Sequence, residues 1–105
     1  MLVKSLIECG FDKESRDLDD NTPLILAAMY RHLEIVNFLV FIGANINAMN
    51  VFQRTPLIQA SMRNNYDIVE NLISVGADKN VVDYRGQTAA NFCDRSVNEI
   101  LSNIV

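Results

Sequence analysis

Apolar residues fall in short bursts along this chain, each at helical spacing. Leu2, Val3, Leu6 and Ile7 form the first burst, and Gly10 follows it. Ile35, Val36, Leu39 and Val40 lie on a stretch from Leu33 to Ile42 that stops at Gly43. A third stretch, Tyr66 to Val75, stops at Gly76. A glycine just past the last turn takes the left-handed backbone without steric cost, so each of these glycines predicts a helix end. A fourth stretch, Val97 to Val105, carries Ile100, Leu101, Ile104 and Val105.

Shorter apolar stretches alternate with these, and each opens on threonine. Thr22-Pro23-Leu24-Ile25 recurs 33 residues later as Thr55-Pro56-Leu57-Ile58, and a weaker copy starts another 33 on, at Thr88. The three glycines keep the same interval. Threonine can cap the first free N–H groups of a helix, and proline at the next position has its φ already set. Helices are therefore predicted at Leu24–Tyr30, Thr55–Arg63 and Thr88–Asp94. Arg31-His32 and Asn64-Asn65 reverse the chain within each pair of helices. Residues 11–21, 44–54 and 77–87 are polar connections, with turns near Asp19-Asp20 and at Tyr84-Arg85-Gly86.

Self-similarity at this period predicts an all-α stack of helix-turn-helix units, none of which shelters its apolar side alone. Ala27-Ala28 lets a neighbouring unit approach closely. Shifting by one period lays Leu2 on Ile35 and Gly10 on Gly43, so residues 1–21 read as the second helix and connection of a partial unit. Units at 22–54, 55–87 and 88–105 follow, all within one domain. Polar Asn91, Asp94 and Arg95 suit a terminal unit whose outer surface meets water.

At 105 residues, 50% apolar and 21% charged, the chain has an ordinary globular composition. Its net charge of −4 argues against a nucleic-acid partner, which calls for a basic excess. The longest apolar run, residues 38–44, is far below the roughly 18 residues that span a bilayer, so no membrane partner is expected. No basic and apolar leader is read at the N-terminus. Cys9 and Cys93 lack any framework spacing and are read as reduced thiols. An intracellular location, cytoplasmic or nuclear, is the resulting expectation.

The sequence motivates no enzyme, metal or cofactor. Asp17, Asp19 and Asp20 cluster, but they lack the glycine and terminal glutamate of a calcium loop and read as a solvated turn. The four glycines are scattered singly, so no phosphate loop is present. His32 is the sole histidine, which leaves no base to activate a nucleophile elsewhere.

The residues that repeat also resemble a known family. Thr22-Pro23-Leu24-Ile25-Leu26-Ala27-Ala28 resembles the opening of an ankyrin repeat, His32-Leu33-Glu34-Ile35-Val36 its second helix, and residues 41–47 its end. Asp67-Ile68-Val69 and residues 76–80 repeat the pattern, and Gly86-Gln87-Thr88-Ala89 looks like the opening of a last repeat. The resemblance spans about residues 2–105. It implies an ankyrin solenoid of stacked units with hairpin-like connecting loops. It also makes His32 a turn residue and puts Cys93 in the place of a buried small side chain.

The departures from the family pattern carry expectations of their own. Ile25 and Ile58 replace a histidine, so apolar packing should take over from a polar network. Arg31 and Asn64 replace a glycine between helices. Asparagine tolerates a left-handed backbone, whereas arginine there should be strained. Asp20 and Gln53 replace the hairpin glycine that Gly86 keeps, so the first two tips are expected to be less regular. Gln59 replaces a buried leucine, and its amide is expected to bond a neighbouring backbone group.

The resemblance implies a non-catalytic module that binds a partner protein on its concave face. By register, the tips contribute Leu18, Asp19, Val51, Phe52, Tyr84 and Arg85. Asn21, Arg54 and Gln87 follow them, and the ends of the first helices add Met29, Tyr30, Met62 and Arg63, with Arg95 in the last unit. Tyr, Phe, Met and Arg are types enriched at interface centres. Arginines gather toward one end and Asp17, Asp19 and Asp20 toward the other. The basic half is expected to meet an acidic or phosphorylated segment. The alternative is a spacer or end section of a longer solenoid, or the targeting or regulatory part of a larger protein. Self-association through residues 2–7 is a further expectation.

Overall fold

The computed structural model describes residues 12–92. The expectations for residues 2–7, Gly10, Asp94, Arg95, the helix at 97–105 and both cysteines lie outside them. The chain runs through α1 (Pro23–Met29), α2 (Leu33–Phe41), α3 (Pro56–Met62), α4 (Tyr66–Ser74) and α5 (Ala89–Phe92). From α1 to α4 each boundary, like the start of α5, falls within one residue of its expected place. No strand occurs among the described residues.

Capping explains where the inner helices begin. Thr22 and Thr55 are N-caps in extended backbone, each followed by proline. Their Oγ1 atoms accept from the N–H groups of Ile25 and Ile58, both at 3.2 Å. These isoleucines are themselves buried, so apolar packing does take the expected place of the family histidine.

One motif ends four helices. The N–H groups of His32, Ala44, Asn65 and Ala77 reach back to the carbonyls of Ala27, Leu39, Ala60 and Leu72 at 2.9 to 3.0 Å. Such an ending places the preceding residue in the left-handed region. Arg31, Gly43, Asn64 and Gly76 lie there, at φ of 59°, 88°, 56° and 97°. The left-handed arginine foreseen at Arg31 is thus present.

The core is shared between units. α1 packs on α3 and α3 on α5, while α2 and α4 cover them from outside. Leu24, Ala28, Val36 and Leu39 of one unit join Leu57, Ala60, Ile68, Val69 and Leu72 of the next in a single buried cluster. The dimensions of 41 × 25 × 20 Å fit a short stack rather than a closed globule.

Polar contacts also tie neighbouring units together. Asn65 Nδ2 donates to the Ala28 carbonyl at 2.8 Å, supplying an acceptor at the end of α1 with a donor it would otherwise lack. Glu14 Oε2 accepts from Asn45 N–H and Asn47 Oδ1 from Asp78 N–H, each at 2.9 Å. Gln59 departs from expectation. Its side chain is 5% exposed, yet among the described residues no hydrogen bond reaches its amide. It sits mid-helix on α3, which packs between α1 and α5.

Candidate functional site: the hairpin row

Three connections leave the helical stack as hairpin loops of one design. Asp17, Asn50 and Asp83 open them, one period apart. Each N–H donates across the loop, to the carbonyls of Asn21, Arg54 and Gln87 at 3.1, 3.1 and 2.9 Å. Each side-chain Oδ1 accepts two N–H groups inside the loop. Asp17 takes those of Asp19 and Asn21. Asn50 takes those of Phe52 and Arg54. Asp83 takes those of Arg85 and Gln87.

These bonds correct the expectation that the first two tips are irregular. Asp20, Gln53 and Gly86 share the left-handed backbone at φ of 65°, 59° and 75°. The side chain at the start of each loop fixes the turn, so a residue that does not favour this backbone is held in it.

Neighbouring loops are joined in two ways. Val51 N–H donates to the Asp19 carbonyl at 3.1 Å, and Tyr84 N–H to the Phe52 carbonyl at 3.0 Å. Side chains cross the same seams. Asn50 Nδ2 donates to Asn21 Oδ1 at 2.8 Å, a buried neutral pair. Arg54 Nε donates to Asp83 Oδ2 at 3.3 Å, with the Asp83 side chain fully buried and that of Arg54 15% exposed.

Aromatic rings enclose the second seam. Phe52 and Tyr84 lie 5.8 Å apart at a tilted angle. The Arg54 guanidinium is 5.4 Å from the Phe52 centroid and 5.5 Å from that of Tyr84. Arg85 stacks on Tyr84 at 5.4 Å, and its Nε donates to the Tyr84 hydroxyl at 2.9 Å. At the far end of α3, Arg63 lies over the Tyr30 ring at 5.6 Å.

The residues singled out from sequence therefore separate into two sets. Leu18, Asp19, Tyr30, Val51, Phe52, Arg63, Tyr84 and Arg85 are exposed, while Met29, Met62 and Gln87 are half-buried. Asn21 is buried at 7% exposure, and Arg54 is occupied by Asp83. Both act across seams between units, so Asn21 in particular is not an accessible contact. The side chains missed from sequence are Asp17, Asn50 and Asp83 as loop organisers, and Asn65 as a link between units. Their one-period spacing and their shared Asx chemistry were the signal that could have found them.

Two carboxyls titrate below their ordinary range. Asp17 is lowered first by the Asn21 N–H, against a smaller opposing effect of burial, with further help from the Asn21 side chain and the Asp19 N–H. At Asp83 burial pushes the pKa up. The N–H groups of Gln87 and Arg85, with the hydrogen bond and charge of Arg54, outweigh it. No group of three or more His, Cys, Asp or Glu side chains able to hold a metal occurs among the described residues. Nor is any helix among them long and apolar enough to cross a membrane.

Comparison with known proteins agrees with this geometry. A family model described as ankyrin repeats, in three copies, matches residues 1–83. Among individual proteins, human protein fem-1 homolog A is 47% identical over 51 residues, covering 49% of this chain and 8% of its own length. Mouse protein fem-1 homolog C is 50% identical over 46 residues, covering 44% of this chain and again 8% of its own length. The rat fem-1 homolog A is 45% identical over 51 residues. The matched stretch thus spans only a small fraction of these relatives.

Proposed function

The chain belongs to the ankyrin-repeat family, and on that footing we propose that it is a non-catalytic module holding a partner protein on its hairpin row and the ends of its inner helices. Ankyrin repeats in general are protein-interaction modules. The observation that carries the choice of face is where exposed apolar side chains gather. Four of the ten large exposed hydrophobics among the described residues, Leu18, Val51, Phe52 and Tyr84, lie on the three loops, and Met49 and Val82 each directly precede a loop. Apolar groups collected in one strip mark binding sites more often than isolated ones do.

The contact set in this reading is Leu18, Asp19, Met29, Tyr30, Val51, Phe52, Met62, Arg63, Tyr84, Arg85 and Gln87. Its basic end meets an acidic or phosphorylated segment. The bounds 22–54, 55–87 and 88–105, within one domain of residues 1–105, and an intracellular location belong to the same proposal. A second reading, a section of a longer solenoid or the targeting part of a larger protein, is favoured by the small share of the fem-1 homologues that is matched.

Affinity capture on the immobilised chain, followed by mass spectrometry, tests the face. A variant with Val51, Phe52 and Tyr84 changed to serine should lose its specific partner. A control with Phe41→Ser, on the outer helix α2 and 86% exposed, should keep it. Equal retention by both variants would remove the hairpin row as the binding surface.

A further inference from the structure

Resting on that reading of the face, we infer that its anion-recognising groups are Arg63 and Arg85, with Arg54 excluded, and that they fit a peptide of carboxylate side chains interleaved with apolar ones rather than a phosphorylated peptide.

Arg54 is excluded by what already holds it. Its Nε lies 3.3 Å from a fully buried carboxylate, and rings flank it on two sides. An incoming anion would have to draw the guanidinium away and leave the Asp83 charge buried and unpaired, which is strongly unfavourable. Arg54 is a positioning residue that fixes the Phe52 and Tyr84 rings.

Arg63 and Arg85 are in the opposite situation. Both are exposed, and neither forms an ion pair among the described residues. Arg63 rests on the Tyr30 ring, which orients the guanidinium without neutralising it. Arg85 uses Nε on the Tyr84 hydroxyl, which leaves its two terminal nitrogens for an external acceptor. A planar fork of this kind matches one carboxylate in a bidentate pair.

The count of cations decides between carboxylate and phosphate. A phosphomonoester carries a charge of roughly −1.5 to −2 near neutrality and is recognised by converging arginines. Among the described residues of this face, the two available guanidiniums belong to different elements, the end of α3 and the third loop, and each rests on its own tyrosine. Their natural third partner is already neutralised by Asp83. Asp17, Asp19 and Asp20 on the first loop, in a chain of net charge −4, add a field that opposes a dianion more than a monoanion. The exposed Val51 and Phe52 side chains supply the apolar contacts along the same row.

The test is 1H–15N NMR on the full chain at low ionic strength, following the arginine Nε–H signals. The probes are a synthetic peptide alternating glutamate with leucine, the same peptide with phosphoserine for glutamate, and a glutamine control. The glutamate peptide should shift the Arg63 and Arg85 signals saturably at millimolar concentration and leave Arg54 unmoved. The phosphoserine peptide should bind no tighter despite its greater charge, and the glutamine control should not bind. Arg63→Gln and Arg85→Gln should each weaken binding by up to about fivefold, as exposed ion pairs do. Arg63→Lys and Arg85→Lys should recover part of the loss. Tighter binding of the phosphopeptide, a primary shift at Arg54, or no saturable shift with the glutamate peptide would each overturn the inference. If a captured partner is lost with the tip variant yet kept by the Arg63→Gln/Arg85→Gln variant, the face stands and this inference falls. If the tip variant keeps it, the face itself falls.

Discussion

The repeat at 22–54 and the repeat at 55–87 share one backbone and differ in what fills it. Thr22 and Thr55 cap their helices identically, and Arg31 and Asn64 end them with the same left-handed residue. The seam ahead of the first repeat's loop is closed by two amides, Asn21 and Asn50. The next seam is closed by a charged pair, Arg54 and Asp83, under aromatic rings. Leu26 of the first repeat becomes the buried Gln59 of the second, whose side-chain amide has no hydrogen bond among the described residues. His32 is exposed, whereas its counterpart Asn65 is buried and bonded to the preceding unit. The difference teaches that the loop scaffold needs only an acceptor at its first position. The chemistry across each seam, and on its surface, is then free to vary.

The largest test of that view is Asp83→Ala. It removes the acceptor for two N–H groups and leaves Arg54 without its partner, so urea denaturation should register a loss of about 3 kcal/mol. Asn50→Ala removes a neutral version of the same part and should lose less, about 1 to 2 kcal/mol. Equal losses would mean that the charged seam adds nothing to the amide one. Gln59→Leu, which makes the second repeat like the first, should gain about 2 kcal/mol by removing an unsatisfied buried amide. A loss on that change would show that the amide has a partner in solution. Gln53→Gly should gain only about 0.5 kcal/mol, because relief of a left-handed side chain exceeds the added chain entropy by little.

Acid sharpens the same contrast. The Asp83 carboxyl titrates below its ordinary value of 3.8 in the fold. Its contribution is therefore complete above that value and is lost as pH falls through it toward the folded pKa. Asp83→Asn, which copies Asn50, should keep the loop and flatten the fall of thermal stability between neutrality and about pH 3. An unchanged acid profile would place the sensitivity elsewhere.

Most of the fold was legible because burial at a fixed period constrains many residues at once. Thr22, Thr55, Gly43 and Gly76 marked helix ends through local rules that hold regardless of neighbours. The loops were misjudged for the converse reason. The glycines missing at Asp20 and Gln53 suggest irregular tips, but the Asx side chains three residues earlier carry the turn. The place of Asn21 and Arg54 beside the tips suggests partner contacts, yet both side chains bond across seams between units. Sequence register says which unit a residue belongs to, but not that its side chain reaches the next one. A general rule about buried amides points to a partner for Gln59, but register alone does not say whether a backbone group of the packed helices lies within its reach.

The amides of Val51 and Tyr84 sit at solvent-facing loops yet are bonded to carbonyls of the unit before. Their deuterium uptake consequently clocks the parting of one unit from the next. The Arg85 amide, bonded within its own loop, clocks only local fraying. A molecule bridging two tips would slow the first pair selectively, so a mass spectrum could reveal where it sits before anyone knows what it is.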